Sequence, residues 1–303
     1  MFEMPRMFMM VGLPASGKST AAEILGRDYE AVIISSDRIR YELYGSEETQ
    51  GNPATVFSKV KERAVAALCE GYNVVIDATN VSAKKRTSFL AEISRRVNVP
   101  FKKICVAMMT PYDSCVERDA ARKRTVGRPI IDKMIRQFEV PFYNEGWDEI
   151  ALIYDDEDLI GGQHLCDEMA GFDQKNPHHT LDLYQHCLAA ADKCYGEDCY
   201  IAAYWHDVGK LYTQCFDGEG VAHYYSHEKV SCYTFLTSTV AYDMREIHNT
   251  NKVLRIAFLI CWHMQPYFSK SKEAFHDWCL KKGINILIEN EIWHLHEADK
   301  AAH

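Results

Sequence analysis

A glycine-rich stretch near the start of the chain has the residue types and spacing of a phosphate-binding loop. Gly12 and Gly17 frame the pattern G-x-x-x-x-G-K-[ST], which follows the apolar residues 7–11 and ends in Lys18 and Ser19. The glycines let backbone N–H groups point at phosphate oxygens, Lys18 can reach the β and γ phosphates, and the Ser19 hydroxyl can ligate Mg²⁺. The predicted nucleotide-contacting residues are Gly12, Ser16, Gly17, Lys18, Ser19 and Thr20.

An acidic residue follows the second predicted buried strand, residues 31–34. Chemistry in α/β proteins is placed at the carboxyl ends of the parallel strands. Asp37 at that edge can accept a proton from an attacking hydroxyl, and Arg40 can hold a substrate phosphate. In the alternative interpretation, Asp37 caps a helix and Arg40 is solvated.

A third predicted strand, residues 72–76, ends in Asp77. A strand-end aspartate often orders Mg²⁺ through water in such folds. Asn80 follows at the same edge, and Arg86 comes six residues after Asn80, so both are candidate substrate contacts. The alternative for the basic run 84–86 is a solvated helix face.

A fourth predicted strand, residues 102–109, precedes a group of arginines. Arg118 and Arg122 are four residues apart, which places them on one face of a helix. Phosphoryl transfer depends on positioning and on neutralising charge, so a mobile arginine lid over the phosphates suits this stretch. Arg124 and Arg128 are alternatives to Arg122 as the lid residue, and a basic helix that contacts only water is the alternative to a lid.

Imidazole and carboxylate groups recur through the second half of the chain at helical positions. The candidate metal ligands are His186, His206, Asp207, His227, His263 and Asp299. Such a mixed set suits a divalent metal (Mn²⁺, Co²⁺, Ni²⁺, Fe²⁺ or Zn²⁺) that polarises a phosphoryl oxygen. A single histidine on an apolar face is more often a core residue. His178 and His179 are adjacent, so we expect at most one of them to face the site.

The composition separates two domains that must position these groups. Residues 1–155 carry 22 Lys and Arg against 21 Asp and Glu, whereas residues 156–303 carry 12 against 22. All 13 histidines and eight of the 11 cysteines lie in the second part. We therefore expect domains at 1–155 and 160–303. A net charge of −9 excludes nucleic-acid binding by bulk charge alone.

Cysteine usage and hydropathy indicate the compartment. The cysteines are sparse and include no C-x-x-C pair, which favours free thiols in a reducing cytoplasm. No apolar run has the length of a membrane span, and we expect no signal peptide in residues 1–10.

Strand, loop and helix alternation with strand-end acids predicts an α/β P-loop kinase with a parallel sheet. Residues 7–150 resemble the 5′-hydroxyl polynucleotide kinases of phage and bacterial RNA repair in four blocks. These are the phosphate loop, the Asp37-x-x-Arg40 pair, the block from Asp77 to Asn80, and the Arg118-x-x-x-Arg122 lid. The resemblance implies ATP as cofactor, Asp37 as general base, Arg40 on the acceptor's phosphate, and the lid arginines on the ATP phosphates.

Residues 164–303 resemble the HD phosphohydrolase superfamily, which implies an all-α bundle. The resemblance gives His186, His206, Asp207 and Asp299 to a first metal, and His227 and His263 to a second. Lys210 resembles a phosphate-contacting lysine of some members.

Together the two resemblances imply an enzyme that heals both ends of a broken nucleic acid. Its kinase would phosphorylate a 5′-hydroxyl, and its phosphohydrolase would remove a 3′-phosphate or a 2′,3′-cyclic phosphate. The expected substrates are nucleic-acid ends, RNA more than DNA, with a ligase acting downstream and no membrane partner. One alternative is a small-molecule kinase fused to an HD nucleotidase. The other is a kinase with a regulatory, nucleotide-sensing HD domain.

Overall fold

The computed structural model describes residues 4–47, 49, 51–155, 158–176 and 180–302. His178 and His179 lie outside the described residues. The chain divides into two compact units. The first comprises residues 1–110, 115–126 and 141–153, and the second comprises residues 111–114, 127–140 and 154–303.

A sheet of five strands organises the first unit. Its strands are β1 (Arg6–Val11), β2 (Val32–Ser35), β3 (Val74–Asp77), β4 (Lys102–Met109) and β5 (Glu149–Tyr154). Their spatial order is β2-β3-β1-β4-β5, and β1 pairs in parallel with both β3 and β4, as β2 does with β3. Five of the six residues of β1 are buried, as the continuous apolar run predicts for a central parallel strand.

Helices follow these strands in alternation. They are α1 (Lys18–Asp28), α2 (Ser36–Tyr44), α3 (Pro53–Cys69), α4 (Ala83–Arg96), α5 (Tyr112–Ala120) and a 3₁₀ helix (Tyr143–Glu145). Phe8 and Met10 of β1 pack with Val106 of β4 and with Ala22 of α1, which seats the helix after the phosphate loop against the sheet. The predicted parallel α/β architecture is confirmed.

The second unit is helical. Its helices are α6 (Arg128–Ile135), α7 (Gly162–Met169), α8 (Leu183–Ala191), α9 (Glu197–Trp205), α10 (Lys210–Thr213), α11 (His227–Leu236), α12 (Thr239–Ile247), α13 (Thr250–Trp262), α14 (Gln265–Phe268), α15 (Lys272–Lys281) and α16 (Ile286–Lys300). Five of them, α8, α9, α11, α13 and α16, pack together as the core of the unit. The described parts of the chain contain no helix with the length and apolar character needed to cross a membrane.

Two details differ from the expected architecture. A short antiparallel hairpin, β6 (Cys215–Phe216) and β7 (Ala222–His223), interrupts the all-α pattern. Residues 127–140, which we expected in the first domain, belong to the second unit. The reason is that Phe138 packs edge-on against Tyr233 of α11, with ring centroids 4.9 Å apart.

Candidate active sites

The phosphate loop lies between β1 and α1, as its sequence pattern predicts. Gly17 has φ 83°, a left-handed conformation that glycine adopts without steric cost. A side chain on Gly12 would place its Cβ 2.7 Å from Ser16 Oγ and 3.2 Å from Met108 Cβ. Both glycines are therefore required for the tight backbone path that aims N–H groups at an anion.

Lys18 is buried at the start of α1. Its Nζ donates a hydrogen bond to the Leu13 carbonyl within the loop and lies 3.4 Å from Ser16 Oγ. Burial lowers the pKa of Lys18 to about 8. The ammonium is thus held inside the loop, where a phosphate oxygen would replace its contact with the backbone.

Ser19 and Asp77 meet at the edge of the sheet. The Ser19 hydroxyl donates to Asp77 Oδ2 at 3.0 Å, which joins the phosphate loop to the end of β3. A hydroxyl beside a carboxylate at this position suits Mg²⁺ held directly or through water. Thr20, the next residue of α1, is exposed.

Asp37, the candidate general base, lies in the first turn of α2 and its side chain is 46% exposed. It forms ion pairs with Arg40, one turn later, and with Arg124 Nη1 at 3.2 Å. Arg124 also contacts Glu47 Oε2 at 2.7 Å. The alternative in which Arg40 is solvated is therefore wrong. Arg124, predicted only as a possible lid residue, contacts Asp37 instead.

Two predicted substrate contacts have structural partners instead. The Arg86 side chain is fully buried, and its guanidinium pairs with Glu145, with Nε 2.7 Å from Oε2. Its Nη1 donates to the Asn80 carbonyl at 2.9 Å. The Asn80 amide itself donates to the Met10 carbonyl at 2.8 Å. Asn80 thus joins the segment after β3 to β1, and Arg86 joins the same segment to Glu145, so their assignment to substrate is corrected.

The predicted arginine lid also differs in detail. Helix α5 ends at Ala120, so Arg118 and Arg122 do not share one helical face. The chain turns because the Asp119 carboxylate accepts hydrogen bonds from the Val126 backbone N–H at 3.1 and 3.2 Å. Arg122 is exposed. Burial is the main cause of the low pKa of Lys18, Asp77 opposes it, and the charge of Arg122 lowers this pKa by less than Asp77 raises it. An exposed cation close enough to affect the pKa of Lys18 is compatible with a lid.

Five helices bring the six candidate metal ligands together in the second unit. His186 is on α8, His206 and Asp207 follow α9, and Asp299 is on α16. His227 begins α11 and His263 directly follows α13. All six side chains are buried.

The first group contains two imidazoles and two carboxylates. Nε2 of His186 lies 3.1 Å from Asp299 Oδ1 and 3.4 Å from Asp207 Oδ2. Nε2 of His206 lies 3.4 Å from the same two oxygens. The four donors lie within 4.8 Å of one another, which suits a single cation.

The second group shares Asp207 with the first. Asp207 Oδ1 lies 3.0 Å from Nε2 of His227 and 3.7 Å from Nε2 of His263. The two imidazole nitrogens are 3.3 Å apart. One carboxylate thus offers a different oxygen to each group, an arrangement typical of a carboxylate that bridges two cations.

Backbone carbonyls orient three of the imidazoles. Nδ1 of His206, His227 and His263 each lies within hydrogen-bond distance of the carbonyl three residues earlier, at 2.5, 2.7 and 2.8 Å. A proton on Nδ1 leaves the Nε2 lone pair directed into the cluster. Nε2 of His206 is buried and makes no hydrogen bond to any described residue. A nitrogen in this state fits a metal ligand.

The electrostatics of the cluster favour ionised carboxylates. Burial alone would raise the pKa of Asp207, but His206, Lys210 and His227 hold it well below its ordinary value. Burial likewise opposes ionisation of Asp299, whose pKa is nevertheless held well below its ordinary value by His186 and His206. Burial lowers the pKa of His263 to about 3, so this imidazole is neutral and able to coordinate.

Three further residues support the cluster. Lys210, predicted to contact phosphate, lies 2.6 Å from Asp207 Oδ2 and donates to Gln174 Oε1 at 2.8 Å. The Tyr267 hydroxyl donates to Asp299 Oδ2 at 2.9 Å. Neither Gln174 nor Tyr267 was predicted from the sequence. No local pattern marks Gln174, and only the four-residue spacing between His263 and Tyr267 could have indicated the second.

The fold and the phosphate loop define a class: the first part of the chain is a P-loop kinase-like domain, and its cofactors by implication are ATP and Mg²⁺. Residues 7–141 match the family described as an AAA domain. The Arabidopsis thaliana transcription factor bHLH140 is 25% identical over an alignment of 173 positions that covers 54% of this chain and 18% of that protein. The chain thus spans less than a fifth of that relative's length.

Solved structures that are similar to part of this chain include a component of an RNA repair complex and an APS kinase. A chain of the Pnkp1/Rnl/Hen1 RNA repair complex is 25% identical, with a TM-score of 0.38 and 44% of each chain covered. The Mycobacterium tuberculosis APS kinase CysC is 18% identical, with a TM-score of 0.37, 49% of this chain covered and 88% of that chain.

Proposed function

We propose that this chain is a bifunctional enzyme that heals nucleic-acid ends. Its first unit would phosphorylate 5′-hydroxyl ends with ATP, and its second would remove 3′-phosphate or 2′,3′-cyclic phosphate ends. One observation carries the proposal: a phosphate-binding loop and a buried cluster of metal donors occur on the same chain. In that cluster, Asp207 belongs to both groups of donors. Adding a phosphate and removing one are the two reactions that prepare a broken strand for ligation.

Asp37 is the candidate base of the kinase reaction. Its carboxylate would accept the proton of the attacking hydroxyl, because it is partly exposed and follows the end of β2. Arg40 and Arg124 contact this carboxylate and fix its orientation. Either arginine can turn to the phosphate that follows the 5′ nucleotide of an oligonucleotide.

Lys18 and Ser19 act on the phosphoryl donor. The buried Lys18 ammonium would neutralise charge on the transferred phosphoryl group, and Ser19 with Asp77 would hold the Mg²⁺ of bound ATP. Arg122, exposed after α5, is the residue we assign to the far side of the phosphates. These roles require positioning and charge, with no covalent step on the protein.

The cluster around Asp207 is the candidate phosphatase site. His186, His206 and Asp299 would hold one cation, and His227 and His263 a second, with Asp207 shared. When bound, divalent cations would supply Lewis-acid stabilisation of a phosphoryl group. Lys210, paired with Asp207 and supported by Gln174, would bind a phosphate oxygen at the edge of the cluster.

A small-molecule kinase joined to a nucleotidase is the second candidate. It is favoured by the burial of Arg86 against Glu145, because this pairing removes one cation from the surface available to a polynucleotide. In this case nucleosides would compete with oligonucleotides for the first unit.

The test uses one RNA with a 5′-hydroxyl and a 3′-phosphate, incubated with the full chain, ATP, Mg²⁺ and Mn²⁺. Gain of the 5′-phosphate and loss of the 3′-phosphate would support end healing. No change at either end, with ATP binding demonstrated and a nucleoside phosphorylated instead, would overturn it in favour of the second candidate.

A further inference from the structure

Two cysteines lie in contact at the connection between α8 and α9. Cys194 follows α8, and Cys199 is in the first turn of α9. The Cys199 S–H donates to Cys194 Sγ, and the two sulfur atoms are 3.0 Å apart. Cys199 is buried, whereas Cys194 is partly exposed, so one sulfur of the pair is accessible to a small reagent.

His294 of α16 completes this cluster but is engaged elsewhere. Its Nε2 accepts a hydrogen bond from the Tyr195 backbone N–H at 3.0 Å, and the rings of Tyr195 and His294 are stacked, with centroids 5.0 Å apart. The imidazole therefore fixes the backbone between the two cysteines. This role of His294 was not predicted from the sequence.

Geometry decides between a metal site and a dithiol. In a tetrahedral zinc site with Zn–S bonds of about 2.3 Å, two thiolates lie roughly 3.7 Å apart. The observed separation of the two Sγ atoms, 3.0 Å, is shorter. It corresponds to a direct hydrogen-bonded contact between the two thiols. The acceptor nitrogen of His294 is also occupied by a backbone donor. Both observations favour sulfur–sulfur chemistry.

We propose that Cys194 and Cys199 form a dithiol that a two-electron oxidant such as hydrogen peroxide converts to a disulfide. Cys194 attacks first: its sulfur forms an S–O bond, the O–O bond of the peroxide breaks, and the departing hydroxide leaves as water with the Cys194 proton. The sulfur of Cys199 then attacks Cys194, the S–S bond forms, the S–O bond breaks, and the departing oxygen leaves as water with the Cys199 proton. Two thiols and one peroxide give one disulfide and two waters.

The electrostatics assign the order of attack. The hydrogen bond from Cys199 lowers the pKa of the Cys194 thiol, against the effect of burial, while the same bond raises the pKa of Cys199. The partly exposed Cys194 is therefore the nucleophile, and the buried Cys199 resolves the sulfenic acid. This inference is independent of the proposed function.

The test follows the two thiols in one peptide. Trypsin cleavage after Lys193 and Lys210 gives residues 194–210, which contain these two cysteines and no others. The reduced full chain is treated with limiting peroxide, denatured, alkylated with N-ethylmaleimide and digested. We expect this peptide to lose both alkyl adducts and two hydrogens, while the exposed, isolated Cys215 keeps its adduct.

Variants separate the two thiols. In Cys199→Ser, peroxide should convert Cys194 to the sulfenic acid, and no disulfide should form. In Cys194→Ser, the peptide should keep one alkyl adduct, on Cys199. Cys215→Ser is the matched control and should behave as the parent chain does. Retention of both adducts while Cys215 is oxidised would overturn the proposal. So would stoichiometric zinc in the purified chain that is lost in Cys194→Ser and protects both thiols from peroxide.

Discussion

Asp207 Oδ1 lies 3.0 Å from Nε2 of His227, while the other oxygen of the same carboxylate lies 3.4 Å from Nε2 of His206. The residue between the two histidine groups therefore contributes one donor to each. A pair of cations held by these two groups would share one carboxylate and would supply Lewis-acid stabilisation to a phosphoryl group.

Because Asp207 belongs to both donor groups, its removal should weaken metal binding more than the removal of His227. The parent chain should bind two Mn²⁺ ions, and His227→Ala should bind one, because the group of His186, His206, Asp207 and Asp299 remains complete. Asp207→Ala should lose affinity for both ions. Equilibrium dialysis followed by elemental analysis gives the stoichiometry.

The control for metal binding is His276→Ala, which removes an imidazole paired with Glu289 outside the cluster. It should leave two ions bound. Equal stoichiometry in His227→Ala and the parent chain would contradict a second ion at His227.

Gly209 lies where the segment after Asp207 meets α11. Its backbone N–H donates to Ser231 Oγ at 2.8 Å, and a Cβ at this position would lie 2.6 Å from the Ser231 nitrogen and clash with the His227 carbonyl. Gly209→Ala should therefore displace α11, destabilise the chain by about 1–3 kcal/mol and weaken the second ion. Chemical denaturation and Mn²⁺ titration measure the two effects. Gly218→Ala, which meets no atom within 4 Å, should change neither.

Arg86 is predicted to stabilise the fold. Arg86→Met leaves Glu145 buried without its cation and should cost about 3–5 kcal/mol in the free energy of unfolding. Arg96→Met is the matched control on the same helix, because its pair with Glu92 at 3.3 Å is more exposed and should contribute at most about 1 kcal/mol. A parent-like unfolding curve for Arg86→Met together with a raised KM for the acceptor would restore the substrate assignment.

The pKa of Lys18 predicts how nucleotide binding depends on pH. Burial lowers this pKa from 10.5 to about 8. The buried charge therefore destabilises the folded state below about pH 8, and this destabilisation disappears as the pH rises from about 8 toward 10.5. Bound phosphates would raise the pKa again, so ATP affinity should fall above about pH 8 by up to about tenfold per pH unit. Calorimetric titration of ATP measures this dependence. Lys18→Met should bind weakly at every pH, and a flat profile for the parent chain would contradict the assignment.

Local sequence patterns predicted the parts of the molecule that depend on local structure. The phosphate loop and the strand ends at Asp37 and Asp77 follow from short motifs, because a buried strand and the turn after it are specified by neighbouring residues. The structure also brings the histidines around Asp207 together, although the resemblance, rather than any spacing, indicated their common site.

Contacts between distant residues were not predictable in this way. Arg86 belongs to a basic run whose pattern fits a solvated face, and its partner Glu145 comes 59 residues later. The end of α5 depends on a hydrogen bond from Val126 to Asp119. The first is a tertiary contact and the second joins residues seven positions apart, and neither follows from helical spacing.

Separate active sites are the central claim, and one measurement tests it most directly. The RNA with a 5′-hydroxyl and a 3′-phosphate is incubated with ATP, Mg²⁺, Mn²⁺ and either Asp37→Asn or Asp207→Asn, each shown to be folded by circular dichroism. We predict that Asp37→Asn loses 5′ phosphorylation and retains 3′-phosphate removal, and that Asp207→Asn does the reverse. Loss of both activities in either folded variant would contradict the account.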